Sequence, residues 1–163
     1  MSTTHRPIFD TPQGAVDWLR ASGVTNLCGD SRQVETGDAF IAWPGYAVDA
    51  RAFVQAALIK GAVAVLVEAQ GVEDNHSALP TKLLSDSRIA FVNNLKALCG
   101  EIAAIFYAQP SQDLSVVAIT GTNGKTSISW WLAQALSAAG SDCAVMGTLG
   151  VGRLSDLSQT GLT

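Results

Sequence analysis

The run Thr120-Gly121-Thr122-Asn123-Gly124-Lys125-Thr126 holds the residue types that bind phosphate. Glycines let a loop turn successive backbone N–H groups toward a common centre, and the start of a following helix adds its own. Lys125 brings a positive charge to β- and γ-phosphate oxygens, and the Thr126 hydroxyl is a ligand for Mg²⁺. Read as an ATP site, the contacts are Gly121, Thr122, Asn123, Gly124, Lys125, Thr126 and the adjoining Ser127. The spacing departs from G-x-x-x-x-G-K-[ST], because Ile119 stands where the first glycine belongs. Context favours the phosphate reading: an apolar run precedes the loop and a helical segment follows. The plain alternative is a strand-to-helix turn with a surface lysine.

Other residues carry less chemistry. Asp30-Ser31-Arg32 on its own reads as a turn with an Asx or Ser cap. His5 and His76 lie in polar segments without metal-ligand spacing. Trp130 and Trp131 suit core and interface better than a base-stacking platform. The three cysteines, Cys28, Cys99 and Cys143, are widely spaced and form neither a disulfide framework nor a zinc pattern. They read as reduced thiols. No Ser-His-Asp or Cys-His arrangement is present.

The elements that must position these residues follow from periodicity and caps. Thr11-Pro12 opens a helix to about Ala21, closed by Gly23. Asn26–Cys28 and Ala39–Trp43 read as short strands. Asp49 caps a second helix that runs to Lys60 and stops at Gly61. The apolar run Val63–Val67 is a strand buried on both faces, and Ala69 to Thr81 is a surface loop. Ile89, Val92, Leu95, Leu98, Ile102, Ile105 and Phe106 recur at helical steps, which predicts one helix from Asp86 or Ser87 to Pro110. After the linker 108–113 come a strand at Val116–Ile119, the glycine loop, a helix at Thr126–Ala139 and a strand at Cys143–Met146. That succession opens a parallel α/β domain. The expected fold class is α/β: a small domain over residues 1–110, then at 111–163 the truncated start of a parallel-sheet P-loop domain. The chain therefore reads as the amino-terminal piece of a longer protein.

Composition narrows the function classes. Of 163 residues, 48% are hydrophobic and 15% charged, which excludes intrinsic disorder. The net charge of −4 disfavours a nucleic-acid partner, since holding a phosphate backbone takes a basic surface. No apolar run spans a bilayer, and no signal-peptide core follows Arg6, so a cytoplasmic protein is expected.

The loop as it stands here, T-G-T-N-G-K-T, resembles the P-loop variant of the Mur ligases, the ATP-dependent amino-acid-adding enzymes of peptidoglycan synthesis. Asp30-Ser31-Arg32, Gly37-Asp38-Ala39-Phe40-Ile41-Ala42, Gly45 and Asp49 resemble the D-S-R…G-D-x-F-x-A…G…D run of that family's uridine-nucleotide-binding domain. Tyr107, Pro110-Ser111, Ala144 to Gly150 and Thr160 to Thr163 are most similar to the members that add the third residue, a diamino acid.

The resemblance implies a two-step reaction with ATP and Mg²⁺. A carboxylate of UDP-MurNAc-L-Ala-D-Glu becomes an acyl phosphate, and the amine of a diamino acid (meso-diaminopimelate favoured over L-lysine) displaces the phosphate. It implies a catalytic, electrostatic role for Lys125 and a metal-ligating one for Thr126. Contacts to the nucleotide sugar carry over to Gly29, Ser31, Tyr46, Ala47, Val48 and Thr163. A chain ending at Thr163 is expected to lack turnover by itself. Two alternatives stay open at this point: an isolated uridine-nucleotide-binding module, and another P-loop ligase such as a folylpolyglutamate-synthetase relative.

Overall fold

A computed structural model describes residues 6–46, 48–72 and 78–159. Ala47, His76, His5 and Thr163 lie outside them. The backbone forms two compact units, residues 1–114 and 115–163.

The first unit is built on five parallel strands: β1 (Ile8–Phe9), β2 (Asn26–Cys28), β3 (Asp38–Ala42), β4 (Ala64–Glu68) and β5 (Ile89–Val92). Their order is β1-β5-β4-β3-β2, parallel throughout. Strand alternation sends successive side chains to opposite faces, and both faces are covered. Phe40, Ala42, Val65, Val67, Ile89 and Phe91 pack against Val54, Ala57 and Leu58 of α2 (Val54–Lys60). Ala39, Ile41, Ala64, Leu66, Ala90 and Val92 meet two helices on the other face. These are α1 (Pro12–Ala21), through Ala15, Val16 and Leu19, and α3 (Leu95–Phe106), through Leu95 and Ile102. Double coverage explains why β3, β4 and β5 are buried along their whole length.

The expected single helix from Asp86 is a strand followed by a helix. Ile89, Ala90, Phe91 and Val92 are consecutive apolar residues, and β5 buries all four between β4 and β1. Asn94, at φ 57°, then breaks the chain before α3 begins. Ile89 and Val92 happened to fall on the helical period that continues from Leu95. Thr11 caps α1 as expected, accepting from the Gly14 N–H. A single 3₁₀ turn, Ala50–Phe53, carries the chain from the Asp49 cap into α2. Another lies at Thr81–Leu83, while Val72 and Leu79 of the expected surface loop are buried in the core.

The second unit contains α4 (Lys125–Ala138) and an antiparallel meander of β6 (Ala144–Gly147), β7 (Gly150–Arg153) and β8 (Asp156–Ser158). Val116–Ile119 is not a strand. An extended segment becomes one only when a neighbour pairs its N–H and C=O groups, and among the described residues none does: β6 pairs with β7 instead. Val116 and Val117 are exposed. Trp131 is exposed as well, and only Trp130 is half-buried, so the expected core role falls to one of the pair.

Candidate functional site

The glycine loop closes onto the head of α4. Gly121 at φ +146° and Gly124 at φ +78° adopt backbone conformations that L side chains rarely take. Space is not the reason for glycine: a Cβ on Gly121 would meet nothing closer than the Asn123 carbonyl oxygen at 3.6 Å. Gly124 is the residue before α4, and no side chain caps the first-turn N–H groups there. Lys125 reaches back across the loop, its Nζ donating to the Gly121 carbonyl at 2.5 Å and the Thr122 carbonyl at 3.4 Å. Ser129 Oγ donates to the Thr126 carbonyl at 2.9 Å, while the Thr126 hydroxyl makes no hydrogen bond among the described residues. The donor set is an ammonium, backbone N–H groups and a free hydroxyl. These fit a polyphosphate, with the hydroxyl oxygen suited to a hard divalent cation.

The carboxyl ends of the parallel strands carry the other expected residues. Gly29 and Ser31 follow β2, and Tyr46 and Val48 follow the neighbouring β3. In open α/β sheets ligands bind outside these strand ends. Gly29 lines an apolar slot of about 190 Å³ between β2, β3 and α3, together with Leu27, Ile41, Trp43, Cys99 and Tyr107. The Tyr107 hydroxyl accepts from the Leu27 N–H at 2.9 Å and donates to the Asn26 side-chain oxygen, which fixes this wall. Burial pushes the Cys99 thiol up, so it stays protonated and apolar in character.

The β3 loop closes on itself. The Gly45 N–H donates to the Val48 carbonyl at 3.0 Å and the Ala50 N–H to the Trp43 carbonyl at 3.2 Å. Arg51 anchors its base. The guanidinium makes a bidentate pair with Asp49 at 2.7–3.0 Å and donates to the Gln70 carbonyl at 2.8 Å. Burial alone would raise the Asp49 carboxyl; the hydrogen bonds from Arg51 outweigh it and hold the group below its ordinary value.

Ser31 sits in the turn that Asp30 organises, where Asp30 Oδ1 accepts from the Arg32 N–H at 2.9 Å. The hydrogen bonds from Arg32 side chain and backbone pull the Asp30 carboxyl down to about 2. Replacing Arg32 with glutamine is therefore expected to return the Asp30 titration toward about 3.9, the unperturbed aspartate value. Carboxyl chemical shifts followed through an acid titration check this.

Sequence reasoning gave no site role to Arg51, Glu68, Lys96, Trp43 or Cys99, and it read Tyr107 only as part of the family resemblance. Only the sheet order brings the ends of β3, β4 and β5 side by side. Among the described residues no cluster of His, Cys, Asp or Glu could hold a metal ion, and no helix is long and apolar enough to cross a membrane.

Comparison with known proteins matches two family models, the Mur ligase family catalytic domain over residues 23–107 and the Mur ligase middle domain over 119–162. A UDP-N-acetylmuramoyl-L-alanyl-D-glutamate–2,6-diaminopimelate ligase of Acidovorax sp. (strain JS42) is 48% identical over 160 residues, covering 94% of this chain and 30% of that protein. The ligase of the same name from Coxiella burnetii (strain RSA 493 / Nine Mile phase I) is 46% identical over 134 residues, 82% of this chain and 26% of its own length. A solved structure of a ligase of that name superposes with TM-score 0.58 at 35% identity, over 83% of this chain and 26% of that one. MurF from Acinetobacter baumannii shares the fold, with TM-score 0.55 at 24% identity over 86% of this chain and 30% of that one. The chain thus spans less than a third of the length of these relatives.

Proposed function

The chain belongs to the Mur ligase family, and from that premise we propose that it is the amino-terminal part of the ligase that adds meso-diaminopimelate to UDP-MurNAc-L-Ala-D-Glu in peptidoglycan precursor synthesis. The observation that carries the reading is Lys125, folded across a glycine loop at the uncapped head of α4. Residues 1–110 bind the nucleotide sugar through Gly29, Ser31 and the loop at 46–48, with Thr163 as a further contact. Residues 111–163 begin the ATP-binding domain. The reaction belongs to the cytoplasm, where ATP and the nucleotide sugar are both available.

In the first step a carboxylate oxygen of the D-glutamate bonds to the γ-phosphorus of ATP while the bond to the ADP oxygen breaks. In the second the diaminopimelate nitrogen bonds to the acyl carbon, phosphate departs with the C–O electron pair, and the nitrogen gives up a proton. Negative charge shifts among phosphoryl oxygens in the first step, and Lys125 with the N–H groups of residues 121–127 is preorganised to stabilise it. Thr126 would hold Mg²⁺, which supplies further charge neutralisation on the phosphates when bound. The amide-forming step asks nothing covalent of this chain.

Two binding sites on separate elements predict separable losses. Calorimetry with a UDP-MurNAc derivative should show Ser31→Ala weakening the nucleotide sugar by up to about tenfold, the size of one lost hydrogen bond. Lys125→Ala should leave that affinity near wild type. Equal weakening by both would sink the assignment of Ser31 to the uridine site.

A further inference from the structure

Beside the β3 loop, the ends of β4 and β5 open a cavity of about 660 Å³ lined by Pro44, Glu68, Gln70, Asn94, Lys96 and Ala97. Its charges are unequally satisfied. Glu68 is buried, and its carboxylate already accepts from the Asn94 N–H at 3.1 Å and the Gln70 N–H at 3.3 Å. Nearby cations are committed too: Arg51 to Asp49 and the Gln70 carbonyl, Arg32 to Asp30. Lys96 differs. Among the described residues it has no carboxylate partner, and its ammonium lies 4.7 Å from the centre of the Tyr46 ring.

The placement also runs against a local rule. Lys96 stands in the first turn of α3, which contains no acidic residue, so a cation occupies the end where helices favour anions. Such violations are expected where a ligand supplies the compensation. Tyr46 is fully exposed, and among the described residues Lys96 is its one ring contact.

We propose that Lys96 is a specificity-determining residue of the nucleotide-sugar site: its ammonium, parked on the Tyr46 ring, is the cation that meets the diphosphate. This rests on the nucleotide-sugar reading given above. A diphosphate brings at least two negative charges to a carboxyl edge where Arg32 and Arg51 are paired with aspartates, and an ammonium on a flexible stem can leave an aromatic face to reach it. The inference distinguishes recognition of the diphosphate from recognition of the base.

Calorimetric titration of the protein with UDP, UMP and uridine, repeated on Lys96→Met and Lys96→Arg, tests it. Lys96 is exposed, so both variants keep the fold. Lys96→Met should weaken UDP about tenfold or more and uridine by less than about twofold, while Lys96→Arg stays near wild type. The wild-type preference for UDP over uridine should also shrink with added salt. Unchanged UDP affinity in Lys96→Met, or equal weakening of UDP and uridine, overturns the role of Lys96 alone. A wild-type protein that binds none of the three removes the nucleotide-sugar reading and this inference with it.

Discussion

If the proposed function holds, replacing Lys125 with methionine in the full-length protein is expected to lower kcat by about 10²–10³, the loss typical of one preorganised electrostatic donor, or roughly 3–4 kcal/mol. Methionine keeps most of the stem and removes the charge. The ammonium is exposed and, among the described residues, bonded only to the Gly121 and Thr122 carbonyls, so folding should not suffer. KM for ATP should change less than kcat, because the N–H groups around Gly121, Gly124 and Thr126 still bind the ground-state phosphates. Steady-state phosphate release with the UDP-linked dipeptide and diaminopimelate measures both. A folded Lys125→Met enzyme with near-normal kcat would make this lysine a surface residue of the turn that leads into α4. The ATP-binding reading of the loop would fall with it.

Why the loop was legible and the carboxyl-edge cavity was not comes down to distance along the chain. Gly121, Gly124, Lys125 and Thr126 act as neighbours, so their types and spacing carry the signal. The Thr11-Pro12 cap, the Gly61 stop and the buried run of β4 are local in the same sense, and each appears where periodicity and caps put it. Lys96 and Tyr46 are distant in sequence and meet only because β5 and β3 flank β4 in one sheet. The misassigned segments share another cause. Ile89–Val92 is apolar on every side, and such a run does not choose between a buried strand and a buried helix; pairing with β4 and β1 decided it. Val116–Ile119 has the composition of a strand, yet strand identity belongs to a pair of segments, and composition describes only one.

The second large effect is expected at Arg51, and the molecule carries its own controls. Three Asp-x-Arg segments, Asp30/Arg32, Asp49/Arg51 and Asp86/Arg88, adopt one geometry. In each the Asp Oδ1 accepts from the arginine N–H at 2.9–3.0 Å, and the guanidinium pairs with the same carboxylate. They differ in burial, the arginine side chains being 86%, 9% and 48% exposed respectively, and in the further bond from Arg51 to the Gln70 carbonyl. Exposed pairs contribute little because water and side-chain entropy compete with them. Removing one partner of a buried pair leaves the other desolvated and uncompensated. Arg51→Met should therefore cost on the order of 3 kcal/mol, since the Asp49 carboxylate loses its counter-charge and the Gln70 carbonyl its donor. For a unit of this size that is a fall in Tm of about 10 °C. Arg32→Met should leave Tm unchanged within error, and Arg88→Met should fall between. The pH dependence has a definite sign. The Asp49 carboxyl is held below its ordinary value in the fold, so the pair's contribution is present above the unfolded pKa and disappears as pH drops through the folded one. Without the guanidinium the burial that raises this carboxyl is opposed only by the residue-51 N–H, and protonation then relieves the variant. Melting curves of wild type and Arg51→Met should converge below about pH 4, near the unperturbed aspartate value. Equal Tm losses for Arg51→Met and Arg32→Met at neutral pH would show that burial does not set the strength of these pairs.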